Sequence, residues 1–233
     1  MNNGYIFDYG GTLDTGGDHW GRVIWDAYQA VGIAVSEAHY REAYVYAERT
    51  LASSPIIMPY FSFRQTLEAK LKLQMDFITS NLKPQTSNLK PLTSYLTPLT
   101  SYLYTATQRH TYHSYQVLQQ LPGQKVLVSN FYGNIHTVLS EFGFDHLFQH
   151  VIESAVVGVR KPDPRIFAMG VEALGLQPEQ VTVVGDSIDK DIVPAASLGC
   201  QTVWISGRQW TDAPVDSSRA SRIISQIDEL LQC

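Results

Sequence analysis

The chain has few cysteines, few charged residues and no long hydrophobic run, and each shortage excludes a class of protein. Only two cysteines, Cys200 and Cys233, occur among 233 residues, which is too few for a disulfide framework and favours a reducing compartment. Charged residues make up 17% of the chain. The 17 lysines and arginines are outnumbered by 22 aspartates and glutamates, which gives a formal net charge of −5. Nucleic acids and anionic membranes bind clustered basic residues, so we expect neither as a partner.

The amino-terminal residues and the chain length set further limits. The first residues lack the basic segment of a secretory signal, and no segment approaches the ~18 apolar residues of a membrane span. We therefore expect a cytoplasmic protein, present as a monomer or a weak dimer. Apolar residues make up 44% of the chain, which is enough for a packed core. At about 150 residues per domain, the length indicates one large domain or one domain with a sizeable insertion.

Short apolar runs that alternate with helical patterns predict an α/β fold. Five runs are typical of buried strands, and a sixth is a candidate edge strand: residues 5–8, 125–129, 151–154, 181–185, 201–205 and, at the edge, 221–225. Helical patterns lie between and after them, at residues 134–142, 164–174, 188–198 and 226–232. Strands that are apolar on both faces and alternate with helices are typical of a Rossmann-like parallel sheet with helices on both sides.

Residues 15–110 interrupt this alternation and predict an inserted helical cap. Apolar spacing indicates three helices there, at residues 20–31, 37–52 and 63–78. Ser62 and Gln65 form a reciprocal capping pattern at the start of the third. Because the insertion follows the first strand, we expect it to cover the carboxyl edge of the sheet, where ligands bind in such folds. The α/β core then comprises residues 1–14 and 111–233.

A seven-residue repeat occupies residues 79–106 of the insertion, as TSNLKPQ, TSNLKPL, TSYLTPL and TSYLYTA. Pro84, Pro91 and Pro98 recur in its units, and a proline inside a helix removes a hydrogen-bond donor and clashes with the preceding turn. The repeat therefore predicts irregular chain or single turns instead of a continuous heptad helix. It is a low-complexity insert without chemistry or, alternatively, a docking surface anchored by its tyrosines.

Polar residues with catalytic side chains follow the ends of the predicted strands. They are Asp8 after the first strand, Ser129 and Asn130 at the second, Lys161 in the loop after the third, and Asp186 at the fourth with Asp191 just beyond. Because the carboxyl ends of parallel strands meet at one edge, we expect these side chains to converge. A carboxylate nucleophile, a hydroxyl, an amine and a second carboxylate pair describe a site for phosphoryl transfer, with acidic groups for Mg²⁺ and donors for phosphate oxygens.

These four segments, in this order, resemble the haloacid dehalogenase superfamily, most of whose members are Mg²⁺-dependent phosphatases. The resemblance covers the α/β core, and the helical insertion is similar by position to the helical (C1-type) cap of one branch. It implies that Asp8 is the nucleophile that forms an aspartyl-phosphate. It also implies that Ser129 donates to the phosphate and that Lys161 steadies both the nucleophile and the phosphate.

The resemblance further implies a metal site. Its ligands would be Asp8, the backbone carbonyl of Gly10 and Asp186, and Asp191 would support the metal or its waters. The implied cofactor is therefore Mg²⁺.

A site for the phosphorylated substrate is implied beside the metal. Gly11, Thr12 and Asn130 are expected there, together with Ser129 and Lys161. The expected reaction is hydrolysis of a phosphoric monoester or an acyl phosphate, with a small phosphorylated metabolite as substrate.

Gly10 departs from the family's pattern. The phosphatases of this family usually carry an aspartate at this position as general acid and base, a contribution typically worth about 10²–10⁴ in rate. Asp14, Asp18 and His19 are nearby candidates to replace it. Two functions stay open: a phosphatase that works best on good leaving groups such as acyl phosphates, or a catalytically weak or silent phosphate-binding or regulatory protein.

Two other branches of the family also lack that aspartate. Phosphonatases use a cap lysine, and no lysine precedes Lys70 here. Dehalogenases need no metal, and the pair of Asp186 and Asp191 counts against them. The seven histidines show no metal-ligand spacing, and the tyrosines of residues 40–46 indicate packing within the cap.

Overall fold

A six-stranded parallel sheet forms the centre of the computed structural model, which describes residues 4–81 and 91–232. Its strands are β1 (Gly4–Phe7), β2 (Gln124–Ser129), β3 (His150–Glu153), β4 (Val181–Gly185), β5 (Gln201–Ile205) and β6 (Arg222–Ile224). They lie in the order β3-β2-β1-β4-β5-β6, and every neighbouring pair is parallel. The predicted α/β fold is confirmed, and each predicted strand end lies within one residue of the observed end.

Helices cover the sheet and form the insertion. They are α1 (Trp20–Ala30), α2 (Glu37–Ser53), α3 (Phe63–Asn81), α4 (Leu96–Gln120), α5 (Ile135–Glu141), α6 (Ser154–Val157), α7 (Arg165–Leu174) and α8 (Val193–Ser197). Short 3-10 turns occur at Leu92–Tyr95, Pro178–Gln180 and Ile227–Gln232, and a π-helical turn occupies Ile188–Ile192.

Two predicted helices differ in type from the observed ones. The helix predicted at 226–232 is a 3-10 turn, and the one predicted at 188–198 is the π-helical turn followed by α8. Pro194 explains the second difference, because a proline inside one continuous helix would cost a backbone hydrogen bond. In the observed structure it lies in the first turn of α8, where its missing N–H breaks no hydrogen bond.

Successive side chains of the central strand enter opposite cores. Ile6 packs in a cluster with Phe167 and Val171 of α7, whereas Phe7 packs in a cluster with Leu118 of α4. Ile6 and Phe7 are both fully buried. This is the period-two geometry of a strand, and burial on both faces explains why the strands are continuous apolar runs.

The insertion folds as its capping and apolar patterns predict. The Ser62 N–H donates to Gln65 Oε1 (2.9 Å), and the Gln65 N–H donates to Ser62 Oγ (3.2 Å), which confirms the predicted cap of α3. Phe63, Leu67 and Leu71 are buried along one face of this helix. Since α3 contacts both α2 and α4, these helices form a bundle.

The prediction of irregular chain or single turns is wrong for the ends of the repeat. α3 continues to Asn81, and the last units form the 3-10 turn at Leu92–Tyr95 and the first part of α4. Pro98 is the third residue of α4, where its missing N–H has no intrahelical partner to lose. The final unit contains no proline, so the helix continues through it. Residues 82–90, with Pro84, lie outside the described residues.

One helix crosses the predicted boundary between cap and core. α4 is continuous through residues 110 and 111. Its early residues Leu99 and Leu103 and its late residues Val117 and Leu118 belong to one buried cluster. The division into residues 15–110 and the remaining core stays a prediction.

Cys200 is a free thiol in the core, and Cys233 lies outside the described residues. Burial raises the pKa of the Cys200 thiol to about 11, so it stays protonated near neutral pH. Within residues 4–81 and 91–232, no helix combines the length and apolarity needed to cross a membrane.

Candidate active site

A cavity of about 170 Å³ lies between the carboxyl edge of the sheet and the inserted helices. Asp8 follows β1, Ser129 ends β2 and Asp186 follows β4, so three neighbouring strands deliver side chains to its wall. Lys161 reaches the same wall from the loop before α7, and Asp191 reaches it from the π-helical turn. The sheet topology therefore brings together the side chains that the strand ends predict.

Lys161 is the centre of a buried charge network. Its Nζ lies 2.5 Å from Asp8 Oδ1 and 2.7 Å from Asp191 Oδ1, and its side chain is 3% exposed. Burial by itself would lower the pKa of the ammonium, but the two carboxylates raise it above its ordinary value. Lys161 is therefore charged at neutral pH and fixes the Asp8 carboxylate.

Three carboxylates gather around this lysine. Asp8, Asp186 and Asp191 are buried, and each offers an oxygen within 4.8 Å of the others. Burial, with repulsion from Asp8 and Asp191, raises the pKa of Asp186 well above its ordinary value. One ammonium balances only one of the three carboxylates, so the other two need a further cation or a proton. Such an oxygen set fits a hard divalent cation, and Gly10 lines the same cavity.

Two glycines make room for the carboxylates. A Cβ on Gly185 would overlap the side chain of Asp191, and a Cβ on Gly11 would overlap the carboxyl group of Asp186. Gly11 also has a φ of 101°, a left-handed conformation that other residues rarely adopt. The backbone at both positions therefore requires glycine because a site carboxylate lies directly against it.

Asn130 ties the end of β2 to the loop that carries Lys161. Its Nδ2 donates to the Lys161 carbonyl, and its Oδ1 accepts from the Lys161 N–H, both at 3.0 Å. Asn130 thus supports the backbone of Lys161. The adjacent Ser129 is buried and places its side chain on the cavity wall.

Gly11 and Thr12 contact the carboxylates of the site. Among the described residues 4–81 and 91–232, neither of the two lines the cavity. Thr12 Oγ1 lies 3.0 Å from Asp8 Oδ2 and 3.1 Å from Asp186 Oδ1, so its hydroxyl orients this pair. The Gly11 N–H donates to Asp14 Oδ1 at 2.7 Å. Direct contact of these two residues with a substrate stays a prediction.

Two of the three candidate replacements for the missing acid line the cavity, namely Asp14 and His19. His19 caps α1, with Nδ1 accepting from the Gly21 N–H at 3.0 Å, and burial lowers its pKa to about 4. Asp18 pairs instead with Arg208, with an oxygen-to-nitrogen distance of 2.6 Å. Asp14 is buried on the cavity wall.

The inserted helices add a charged wall that the sequence patterns do not predict. Lys70 Nζ lies 2.7 Å from Glu48 Oε1, and the Tyr132 hydroxyl donates to Glu48 Oε2 at 2.9 Å. Burial would raise the pKa of Glu48, but Lys70 and Tyr132 hold it below its ordinary value. All three side chains line the cavity.

Helical spacing contains a signal for this pair. Glu48 lies four residues after Tyr44, and Lys70 lies four residues after Thr66, both of which are buried. A charged residue on the buried face of a helix needs an opposite charge, so the spacing indicates that each of the two has a partner but not which residue it is. Tyr44, predicted to pack within the cap, is buried and also lines the cavity.

A family comparison matches residues 3–199 to the haloacid dehalogenase-like hydrolases. This match covers most of the 233 residues, and the chain belongs to that family. The resemblance carried by the four strand-end segments is thereby confirmed.

Individual relatives match shorter parts of the chain. Glyceraldehyde 3-phosphate phosphatase of Pyrococcus furiosus is 33% identical over 89 residues, which are 38% of this chain and 37% of that protein. Phosphoserine phosphatase of Thermus thermophilus is 43% identical over 63 residues, which are 27% of this chain and 25% of that protein. The matched part is therefore less than half of each relative's length.

The fold is similar to that of a solved structure over the whole length of the chain. L-2-haloacid dehalogenase of Xanthobacter autotrophicus superposes with a TM-score of 0.59 at 17% identity, covering 100% of this chain and 98% of that chain. At this identity the likeness concerns the fold, including the helical insertion.

Proposed function

We propose that the protein is a Mg²⁺-dependent phosphatase of a small phosphorylated metabolite that works through an aspartyl-phosphate on Asp8. The observation that carries this proposal is the buried pair of Asp8 and Lys161, 2.5 Å apart on the cavity wall. The ammonium holds one oxygen of the Asp8 carboxylate and so orients the group, and a nucleophile must be held in position to attack. The family and the phosphatases among its matched relatives support the reaction class.

In the proposed reaction, an oxygen of the Asp8 carboxylate attacks phosphorus in line with the leaving group. The bond between phosphorus and the leaving oxygen breaks, and an aspartyl-phosphate remains. Lys161 and Ser129 donate to the other phosphate oxygens, whose charge is buried in the cavity. Water then attacks phosphorus, releases inorganic phosphate and restores the carboxylate.

Asp8, Asp186 and the carbonyl of Gly10 would hold Mg²⁺, with Asp191 in support. When bound, the ion supplies positive charge at the phosphate oxygens. Three buried carboxylates that share one ammonium support this assignment.

The dimensions of the cavity support a small substrate. A volume of about 170 Å³ suits a phosphate ester of a few carbon atoms. The matched phosphatases are named for such compounds, glyceraldehyde 3-phosphate and phosphoserine. Glu48 and Lys70 would face the organic part of the substrate. A cytoplasmic location and a monomeric or weakly dimeric state remain predictions.

Gly10 favours a second candidate function. Without an acid at this position, the same cavity can bind a phosphorylated compound and turn it over slowly or not at all. The protein would then act as a phosphate-binding or regulatory member of the family.

Phosphate release from acetyl phosphate and 4-nitrophenyl phosphate, with and without Mg²⁺, tests the proposed function. We expect Mg²⁺-dependent turnover by the wild type and a loss of about 10⁴-fold or more in Asp8→Asn. Asp189→Asn removes an exposed carboxylate from the π-helical turn and is the matched control, with wild-type turnover. Binding of phosphate without turnover would favour the second candidate, and turnover by Asp8→Asn would contradict the mechanism.

A further inference from the structure

Gly10 leaves an open space on the cavity wall. A Cβ placed on Gly10 meets no atom of residues 4–81 and 91–232 within 4 Å. The position offers no side chain that could give a proton to a leaving group or take one from water. A phosphatase that uses this cavity efficiently therefore needs another group for proton transfer.

Asp14 places a carboxyl group on the same wall. It is 1% exposed and still lines the cavity. Its Oδ1 accepts from the Gly11 N–H at 2.7 Å, and its Oδ2 accepts from the Trp20 indole N–H at 3.0 Å. Gly11 is the neighbour of Gly10, so the carboxyl group is anchored beside the open position. Each oxygen keeps a second lone pair that can carry a proton.

The surroundings of Asp14 suit a group that both gives and takes a proton. Burial raises its pKa to about 7, and the charge of Asp8 adds to this effect. Hydrogen bonds from Gly11 and Trp20 and the charge of Lys70 act in the opposite direction. A general acid and base works best when its pKa lies near the pH of the reaction.

The other two candidates for the missing acid, His19 and Asp18, make contacts elsewhere. His19 is neutral near pH 7 because burial lowers its pKa, and its Nδ1 already accepts a hydrogen bond at the start of α1. Asp18 pairs with Arg208, and the cavity lining drawn from the described residues does not include it. Of the three candidates, Asp14 is thus the one whose carboxyl group lies on the cavity wall.

We propose that Asp14 is the general acid and base of this site, in place of the residue missing at position 10. This inference rests on the proposed function. The protonated Asp14 carboxyl gives its proton to the leaving oxygen as the bond to phosphorus breaks and Asp8 takes the phosphoryl group. The Asp14 carboxylate then takes a proton from the water that attacks the aspartyl-phosphate, so phosphate is released and both carboxyl groups return to their starting forms.

A comparison of leaving groups tests this role. Phenyl phosphate has a poor leaving group that needs a proton, whereas acetyl phosphate has a good one that does not. We expect Asp14→Asn to lower kcat/KM about 10²-fold for phenyl phosphate and less than about threefold for acetyl phosphate. Trp20→Phe removes the indole donor and keeps the Asp14 carboxyl group. If Asp14 only anchors α1 through Trp20, both variants lower kcat/KM equally for both substrates.

A second measurement, on the wild type, keeps the test valid if Asp14→Asn folds poorly. Because only the protonated Asp14 carboxyl can give a proton to the leaving oxygen, we expect the ratio of kcat/KM for phenyl phosphate to kcat/KM for acetyl phosphate to fall at least about tenfold between pH 6 and pH 8.5. A ratio that stays within about twofold over this range would overturn the inference.

The outcomes separate this inference from the proposed function. Equal losses on both substrates in a folded Asp14→Asn variant overturn the role of Asp14 but leave the phosphatase proposal, which needs only Asp8-dependent turnover. A wild type that is inactive on both substrates with Mg²⁺ overturns both.

Discussion

The two walls of the cavity are built in different ways. The sheet wall carries Asp8, Ser129 and Asp186, which the order of three parallel strands brings together. The cap wall carries Glu48 and Lys70, which meet because α2 packs against α3. Strand order thus assembles the groups of one wall, whereas the packing of the insertion determines which side chains face them across the cavity.

The two lysines of these walls differ in how they are held. Lys161 contacts two carboxylates and is 3% exposed, whereas Lys70 contacts one carboxylate and is 11% exposed. Lys70 also lies 5.4 Å from the ring of Tyr132. Replacing each lysine by methionine, of similar length and without charge, therefore compares the two walls directly.

Lys161→Met is expected to have the largest effect. It leaves three buried carboxylates without a cation, so we expect phosphoryl transfer to fall about 10³-fold and the free energy of unfolding to fall by about 3–5 kcal/mol in EDTA. Mg²⁺ should recover part of that stability because it binds the folded carboxylates. Urea unfolding with and without Mg²⁺ measures this. Unchanged stability in EDTA would contradict the charge network.

We expect Asp14 to make stability depend on pH. Burial raises its pKa from an ordinary value of 3.8 to about 7, so the folded protein binds this proton more tightly than the unfolded chain. The stabilisation is complete below about pH 4 and is lost as the pH rises through 7, by up to about 4 kcal/mol.

Asp14→Asn removes that titration. Urea unfolding of wild type and variant in EDTA, from pH 5 to pH 8, should therefore show a steeper loss of stability for the wild type. Parallel pH profiles of the two proteins would show that Asp14 does not titrate in this range.

Lys70→Met tests the cap wall. We expect kcat/KM to fall about tenfold for a three-carbon phosphate such as phosphoserine, because a charged hydrogen bond to the organic part is lost. For acetyl phosphate, which reaches the cap wall least, the change should stay below about threefold. Lys72→Met, at an exposed lysine of α3, is the control. An equal loss on both substrates would mean that the two walls are not separate in function.

Pro98→Ala is expected to have the smallest effect. Because Pro98 is the third residue of α4, its ring replaces an N–H that bonds nothing within the helix. The free energy of unfolding should change by less than about 0.5 kcal/mol. A change above about 2 kcal/mol would show that this part of the repeat has a packing role.

The sheet and its wall could be predicted because the signals are local. Each buried strand is an apolar run, and a run that ends in Asp8, Ser129 or Asp186 places that residue at the carboxyl edge. Parallel topology then brings these residues together, regardless of the conformation of the connecting loops. The family resemblance carried by these segments is confirmed, whereas the individual catalytic and metal roles remain proposals.

The cap wall could not be predicted because its signals are not local. Glu48 and Lys70 become a pair only when the contact between α2 and α3 is known. The helical end of the repeat depends on where α4 begins, since the same proline is tolerated in a first turn and breaks a helix interior. The role of Asp14 depends on burial, which residue spacing alone does not give.

The most direct measurement is to trap the phosphorylated protein. Acid quenching during turnover of acetyl phosphate with Mg²⁺, followed by borohydride reduction and peptide mass spectrometry, identifies the residue that carried the phosphoryl group. We expect a single reduced site at Asp8, absent from Asp8→Asn. Turnover with no trapped phosphate, or with phosphate on another residue, would contradict it.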